Sequence, residues 1–405
     1  MSVKNERILL FILASAMFTH IMDFMIMMPL GPQLMRTFSI NPQQFSLLVS
    51  SYTITAGVTG FLAAFFIDRY DRKRTLLISF IGFTIGTLAC AFAPTYIFLL
   101  ATRSMAGAFG GVLGALILAI VSDVIPLDRR AKSIGIVMAS FSVASVAGVP
   151  FGLYLAAEFS WHAPFLFLGI FCFLVTALIV LYVPSVTVHL GNGHSRKNPK
   201  EVLIAIFGNP HARLGLTFTS ILMLGHFAII PFLAPYMVGN VGFSEKNLAL
   251  IYMVGGALTI FFSPWVGKMA DKHGRIKIFT IFATLALLPV AIITNMPPLP
   301  LWQALIVTGL FFIFLNGRMI PATTMETALI APENRGSYMS IRSSIQQLAS
   351  GIASFGAGLI IQESPSGITP GAKALLNYPV VGLIAICFSV LAIFIGRRLT
   401  VQTSL

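Results

Sequence analysis

The chain has 405 residues, 57% of them hydrophobic and 10% charged, with mean hydropathy +0.90 and a net charge of +13. A soluble domain carries about a quarter charged residues, so too few polar side chains remain here to cover a soluble core. Apolar runs of about 20 residues recur along the whole length instead, the mark of a multi-span membrane protein. The basic residues fall in the short gaps between those runs, as membrane anchoring requires, which argues against nucleic acid as a partner.

Lys4 and Arg7 precede the first apolar run, and Ala14–Ala16 (sequence ASA) resembles a signal-peptide cleavage site. Cleavage there would leave too short a remnant to span, so residues 8–30 are expected to form an uncleaved first helix. The other expected spans lie roughly at 46–67, 75–93, 96–121, 133–157, 162–183, 212–238, 247–270, 278–295, 301–329, 338–362 and 378–396, twelve in all. Many carry Gly or Pro, which membrane helices tolerate. Residues 184–211 are polar, basic and Gly/Pro-containing, and they read as a linker between two six-helix bundles, 1–183 and 212–405. Cys90, Cys172 and Cys387 all fall in apolar runs and read as packing residues, with no disulfide framework. No metal and no cofactor is expected.

With a cytoplasmic N-terminus, Lys4, Arg7, Arg69, Arg72, Arg129, Arg130, Lys268, Arg275, Arg397 and most other loop cations lie inside, and only Arg36, Lys246 and Lys373 lie outside. That asymmetry places both termini in the cytoplasm. Compact loops without added domains suggest a bacterial inner membrane, and a monomer is expected.

The two halves repeat. The loop after the second span, DRYDRKR, matches DKHGRIK after the eighth, so that Asp68 falls on Asp271 and Arg72 on Arg275 at a spacing of 203 residues. The same offset places Pro32 on Pro235 and Asp23 on His226. A repeat every six spans keeps the same membrane orientation, so the halves are related by an axis along the membrane normal, with a site between them.

Four motifs carry a family resemblance over nearly the whole chain. The loop GKMADKHGRIK (Gly267 to Lys277) is one, with a degraded copy, AFFIDRYDRKR (Ala64 to Arg74), in the first half. The others are RSMAGAFGG (Arg103 to Gly111) in the fourth span, AGVPFG (Ala147 to Gly152) in the fifth and SWHAPF (Ser160 to Phe165) opening the sixth. With these the chain resembles the major facilitator superfamily, and within it the twelve-span drug/proton antiporters and sugar-efflux-like permeases. The resemblance implies an all-α membrane protein of twelve transmembrane helices in two pseudo-symmetric six-helix bundles. It also implies alternating access of a central site to the two sides of the membrane.

Within that frame the intramembrane polar residues are the candidates. Asp23 sits in FTHIMDFMIMMPLGPQL (Phe18 to Leu34), where an unpaired charge is expensive. It is a proton carrier, a contact for a cationic substrate group, or a structural acid paired to a neighbouring helix. Arg103 keeps its charge in practice and needs a partner, for which a first-helix acid is one candidate; it is either a proton-coupling switch that tunes a nearby carboxylate or a structural ion pair or carbonyl clamp. Gly107 and Gly111 follow at four-residue spacing and admit a close neighbour. His20, one turn before Asp23, and Met22 are candidate site residues, as is His226 at the repeat position of Asp23. In NGRMIPATTMETALI (Asn316 to Ile330), Arg318 is a candidate binder of a polar or anionic group, and Pro321 is expected to kink the helix. Glu326 belongs either to that subsite or to a gate, and Gln346 and Gln347 in the eleventh span are further hydrogen-bonding candidates. Gating falls to Asp68, Asp271, Gly274 and Arg275 of the loop motifs, with the acids near helix ends of the opposite half. Arg72, paired with Asp123 to close the inside, completes that set.

The chain has no Walker A loop, no H-E-x-x-H and no nucleophile elbow, so ATP-driven or hydrolytic chemistry is not expected. The expected function is proton-coupled secondary transport, with export of small amphiphilic molecules preferred. The expected partners are therefore a small-molecule substrate, protons and the lipid bilayer. Import or uniport of a small solute, or movement of lipids or lysolipids, are the alternatives.

Overall fold

A computed structural model describes residues 3–63, 65, 67–187, 199–330, 332–369 and 371–401. Residues 64 and 66 of the first loop motif, the side chain of Asp68 and residues 188–198 of the expected linker lie outside the described residues.

The first half is built from α1 (Val3–Ile26), α2 (Gly31–Thr37), α3 (Pro42–Ala63), α4 (Arg72–Ala91), α5 (Tyr96–Val124), α6 (Leu127–Val143), α7 (Val149–Glu158) and α8 (His162–Tyr182). After α9 (Pro199–Gly208), the second half follows with α10 (Pro210–Phe227), α11 (Ile230–Tyr236), α12 (Glu245–His273), α13 (Arg275–Thr294), α14 (Leu301–Gly317), α15 (Met319–Ala328), α16 (Pro332–Ile360) and α17 (Tyr378–Val401). Part of the expected linker is thus helical, in α9. An antiparallel pair, β1 (Gln362–Ser364) and β2 (Ala374–Leu376), joins α16 to α17. Both Leu375 backbone groups bond the side chain of Asn240, at 3.0 and 2.8 Å.

Long apolar runs become helices because a helix satisfies every backbone group internally where water is absent. Their starts carry side-chain caps: Thr95 accepts from the Phe98 amide, Asn209 from those of His211 and Ala212, and Ser244 from that of Asn247. Eleven stretches of the described residues are long and apolar enough to cross a membrane. The remaining expected crossing falls in α16, which at 29 residues is long enough but more polar. Its Arg342, Ser344, Ser350 and Ser354 are buried in the protein, so the polarity faces inward.

Four expected single spans are interrupted. The seventh stops at Phe227 and resumes at Ile230, and the tenth stops at Gly317 and resumes at Met319. Each stop lies four residues before a proline, Pro231 or Pro321, whose missing N–H cannot bond that carbonyl. The first span breaks after Ile26, ahead of Pro29 and Pro32. The fifth widens into a π turn at Ala144–Gly148, just before Pro150. The first and seventh breaks sit at matching places in the repeat.

Helices in the first half meet closely at glycine. A Cβ on Gly107 would lie 2.3 Å from the Tyr52 carbonyl oxygen, and one on Gly111 would lie 2.2 Å from that of Ala56. The α5 backbone therefore rests directly on α3. Between the halves, α16 runs along α3, with Gly358 against Ser46, Gly351 against Thr53 and Gly57 against Leu348. Gly256 of α12 packs on Ser145 of the π turn. The end where α1 begins is called the near end below, and the opposite end the far end.

At the far end two ion pairs join the halves. Arg36 and Gln33 of α2 both bond Glu245, and Lys246 meets Glu158 at 2.6 Å. At the near end Phe61 of α3 packs against the second half, beside Tyr338 and Ile341, while two polar contacts lie within the first half. Glu6 accepts from Arg129 at 2.9 Å, and the segment after α8 docks on the start of α4, where Asp71 accepts from the Val186 amide and the Ser185 hydroxyl at 2.9 and 2.7 Å.

Candidate functional site

The breaks of the first and seventh spans face each other across a cavity of about 130 Å³ between the halves. The first half contributes Phe24, Met25, Met28 and Phe141, and the second contributes His226, Phe227, Tyr252, Phe312 and Asn316. Interrupted helices at matching repeat positions are the usual makers of a midplane binding site. The lining is overwhelmingly apolar, with polar groups confined to a few points. Among these, His226 Nδ1 and the Tyr252 hydroxyl are buried and have no hydrogen-bond partner among the described residues. Asn316 spends its amide on the Phe312 carbonyl at 3.0 Å, and Ser145 hydrogen-bonds the Met25 sulfur at 3.7 Å.

Asp23 lies behind this wall. It is fully buried and pairs with Arg103 Nη1 at 2.8 Å; Arg103 is also within 3.4 Å of the Asp23 carbonyl oxygen. The Thr87 hydroxyl donates to the other carboxylate oxygen at 3.2 Å. The arginine expected to seek a first-helix acid therefore finds it. The Arg103 guanidinium also stands 4.5 Å from the centre of the Tyr52 ring, a cation–π contact. Tyr52 stacks on Phe24 at 5.7 Å between centroids, and Phe24 meets Phe227 of the second half at 5.9 Å. A continuous series of contacts thus runs from the buried pair, through two rings, to the cavity wall.

The other candidates take different places. His20 bonds the Tyr52 hydroxyl at 3.0 Å and is not among the cavity-lining residues. Met22 is fully buried, in contact range of Gly148 and Gly152, on the first-half side of the wall. Arg318 bonds Ser389 at 2.9 Å within the second half. Glu326 is also enclosed there, with Arg342 Nε at 2.5 Å and the Thr219 hydroxyl as partners. Gln346 accepts from Arg342 at 3.4 Å, while Gln347 is half-buried on the same helix. Of the residues singled out for substrate contact, His226 alone lines the cavity. The sequence reading missed the aromatic lining, Phe24, Phe227, Tyr252 and Phe312. Its one signal was position, because Phe24 and Phe227 directly follow the repeat-matched pair Asp23 and His226.

The gating candidates sit at the near end. Arg72 pairs with Asp123, but both belong to the first half, so the pair fastens α4 to α5 and does not bridge the halves. Asp271, Gly274 and Arg275 line a surface cleft of about 340 Å³ together with Met325 and Leu399, all of the second half. Asp271 thus lies against its own bundle and not the opposite one. Arg275 reaches the Thr324 carbonyl at 3.4 Å. Gly274 turns the chain from α12 to α13 with φ +91°, a conformation that favours glycine. Asp71, which stands where the loop motif favours glycine, caps α4 through the Lys73 amide. Partial burial favours its neutral form, but bonds from Ser185, Val186 and Lys73 together with the Lys73 charge prevail and hold its carboxyl below the usual value of 3.8.

The family model described as Major Facilitator Superfamily matches residues 13–354 and 215–403. The chain belongs to the major facilitator superfamily. It is 26% identical over 336 residues to the MFS-type transporter YwfA of Bacillus subtilis, covering 80% of this chain and 78% of that one. It is 25% identical over 374 residues to YceJ of the same organism, covering 89% and 92%. The fold matches a D-xylose–proton symporter with TM-score 0.75 at 16% identity, covering 96% and 97% of the two chains. It also matches an inward-facing, occupied bacterial homologue of the human lysosomal transporter Spinster, with TM-score 0.74 at 16% identity, covering 99% and 98%. The protein is thus a multi-pass membrane transporter of this superfamily, whose members are not enzymes.

Proposed function

We propose that the protein is a proton-coupled secondary transporter that exports small amphiphilic molecules by alternating access. In this reading it lies in the inner membrane with both termini in the cytoplasm. The far end, held by Arg36–Glu245 and Lys246–Glu158, is then the outside. The carrying observation is the mostly apolar cavity between the halves, backed by the buried Asp23–Arg103 pair. A sugar site would need many hydrogen-bonding groups, whereas this lining offers few, and the same argument leaves lysolipid-like amphiphiles within the cargo class. Pockets for drug-sized ligands measure roughly 300–1,000 Å³, so loading also parts the halves further.

A proton on Asp23 removes the charge that holds Arg103. The guanidinium then shifts on Tyr52, Tyr52 carries Phe24 with it, and the wall between the halves rearranges. Asp23 lies behind the cavity, so proton and cargo communicate through this relay instead of competing for one atom. Their coupling is a free energy between two places.

The test is flux in proteoliposomes under an imposed pH gradient, with a panel of cationic drugs, sugars and lysolipids. Gradient-driven flux of an amphiphile that is lost in Asp23→Asn supports the reading. Equal coupled flux in both proteins overturns the role of Asp23, and selective uptake of sugars overturns the cargo class.

A further inference from the structure

Four arginines are buried among the described residues, and three of them have an acid. Arg72 has Asp123, Arg103 has Asp23 and Arg342 has Glu326. The fourth, Arg318, is 1% exposed, and no carboxylate pairs with it among the described residues. Among those residues its guanidinium bonds only the neutral Ser389 hydroxyl, and its Nε has no partner. A buried cation without a counter-charge is costly, and proteins rarely leave one unpaired.

The repeat shows what is missing. Asp23, the acid of the first half, maps onto His226 in the second, so the second half has a buried arginine and no acid at that place. Arg318 follows two residues after Asn316, which lines the cavity together with His226. His226 lines the cavity, and its Nδ1 and the Tyr252 hydroxyl are the buried lining side-chain atoms without a partner among the described residues. The second-half wall therefore offers two hydrogen-bond donors, the hydroxyl and the imidazole in its Nδ1–H tautomer, in front of an uncompensated positive charge. The Asp23–Arg103 pair opposite is neutral as a whole, so the field in the cavity is positive.

We propose that the cargo is an amphiphilic organic anion. Its apolar body packs on Phe24, Phe227 and Phe312, and its single carboxylate accepts from His226 and Tyr252 in the field of Arg318. The cargo supplies, while bound, the charge that the second half lacks. This rests on the cavity being the transport site, and it narrows the cargo from amphiphiles in general to anionic ones, disfavouring cations.

The test is equilibrium binding to the purified full chain in detergent, using radiolabelled 4-phenylbutyrate competed by its amide and by 4-phenylbutylamine. These three share a body and differ in charge. The acid is expected to bind about tenfold or more tighter than the amide, and the amine weakest. Arg318→Gln should bring the acid level with the amide while amide binding stays within about twofold, and Arg318→Lys should keep the preference. If Arg318→Gln does not fold, Tyr252→Phe serves instead and should weaken the acid more than the amine. An amine that binds as well as the acid, or an acid preference unchanged in Arg318→Gln, overturns the anion assignment and leaves the transport reading standing. Binding of none of the three to the wild type overturns the assignment together with the cavity as a binding place. Failure of proton coupling is read separately, from flux in Asp23→Asn.

Discussion

Asp23→Asn keeps the shape of the side chain and removes its charge, which isolates what the buried pair contributes. Arg103 would retain the Asp23 carbonyl oxygen at 3.4 Å and the Tyr52 ring at 4.5 Å, but both are present before the substitution and offset nothing. With side chains 1% and 0% exposed, no bulk water reaches the stranded guanidinium. Breaking one side of such a pair costs about 3–5 kcal/mol, whereas neutralising both sides at similar volume is near neutral. The assay is the unfolding free energy in detergent across a double-mutant cycle of Asp23→Asn, Arg103→Met and the double variant. Both single variants should lose at least about 3 kcal/mol, and the double should recover most of it. Asp128→Asn, whose side chain is 73% exposed, is the control and should fall within about 0.5 kcal/mol of wild type. Asp23→Asn no more destabilised than this control would refute the reasoning. The consequence reaches function, because a protonated Asp23 is electrostatically close to asparagine. A cost of about 3 kcal/mol is leverage enough to shift a two-state equilibrium more than a hundredfold, and a cost near zero would leave the proton nothing to move.

Other predictions follow from the interfaces. Glu245→Gln should loosen the far end; its pair is partly exposed, so the loss is about 0.2–1 kcal/mol and a several-fold gain in open population. Spin labels at Thr37 and Ser366 would read this as a growing long-distance component, and an unchanged distribution would count against the latch. Gly107→Val has no room beside the Tyr52 carbonyl and should cost about 1–3 kcal/mol, seen as a lower unfolding midpoint; a wild-type midpoint would contradict the close approach of α5 to α3. Asp71→Ala should cost about 1 kcal/mol through the lost cap. Because the folded carboxyl sits below its ordinary value of 3.8, this contribution is full above that pH and fades as pH falls through the lower folded value. The gap between wild type and Asp71→Ala should therefore shrink from about pH 7 to about pH 3, and a gap that widens would be fatal to that account.

The membrane architecture was legible because hydrocarbon imposes one rule on every span, and the rule is local. Apolar length and flanking charge located the helices to within a few residues. The breaks were half legible: Pro321 announced the kink at Arg318, but Pro29 and Pro231 were absorbed into unbroken spans because their neighbours stay apolar. The short β pair lies between spans, where periodicity has too few residues to speak. Within the site, charge was the strong signal, and it led to Asp23 and Arg103 because an ion in hydrocarbon must have a partner. It could not show which way they face. Asp23 points into its own bundle, while Phe24, one residue on, lines the cavity, a rotation that depends on how α1 packs against α3 and α5. An aromatic lining among 35 phenylalanines carries no mark of its own.

A rod that is cut near its middle transmits torque poorly. The first and seventh spans are both cut, at Ile26 and Phe227, and the latch residues Gln33 and Arg36 ride on the short outer piece α2. In the proposed cycle that piece tilts about the break while the longer piece, with Asp23, stays seated on its neighbours. In the proposed cycle, unlatching the far end and rearranging the Asp23–Arg103 pair are then successive movements of separate levers. That cycle would pass through a state with both ends shut, turning on two small pivots in place of one large swing.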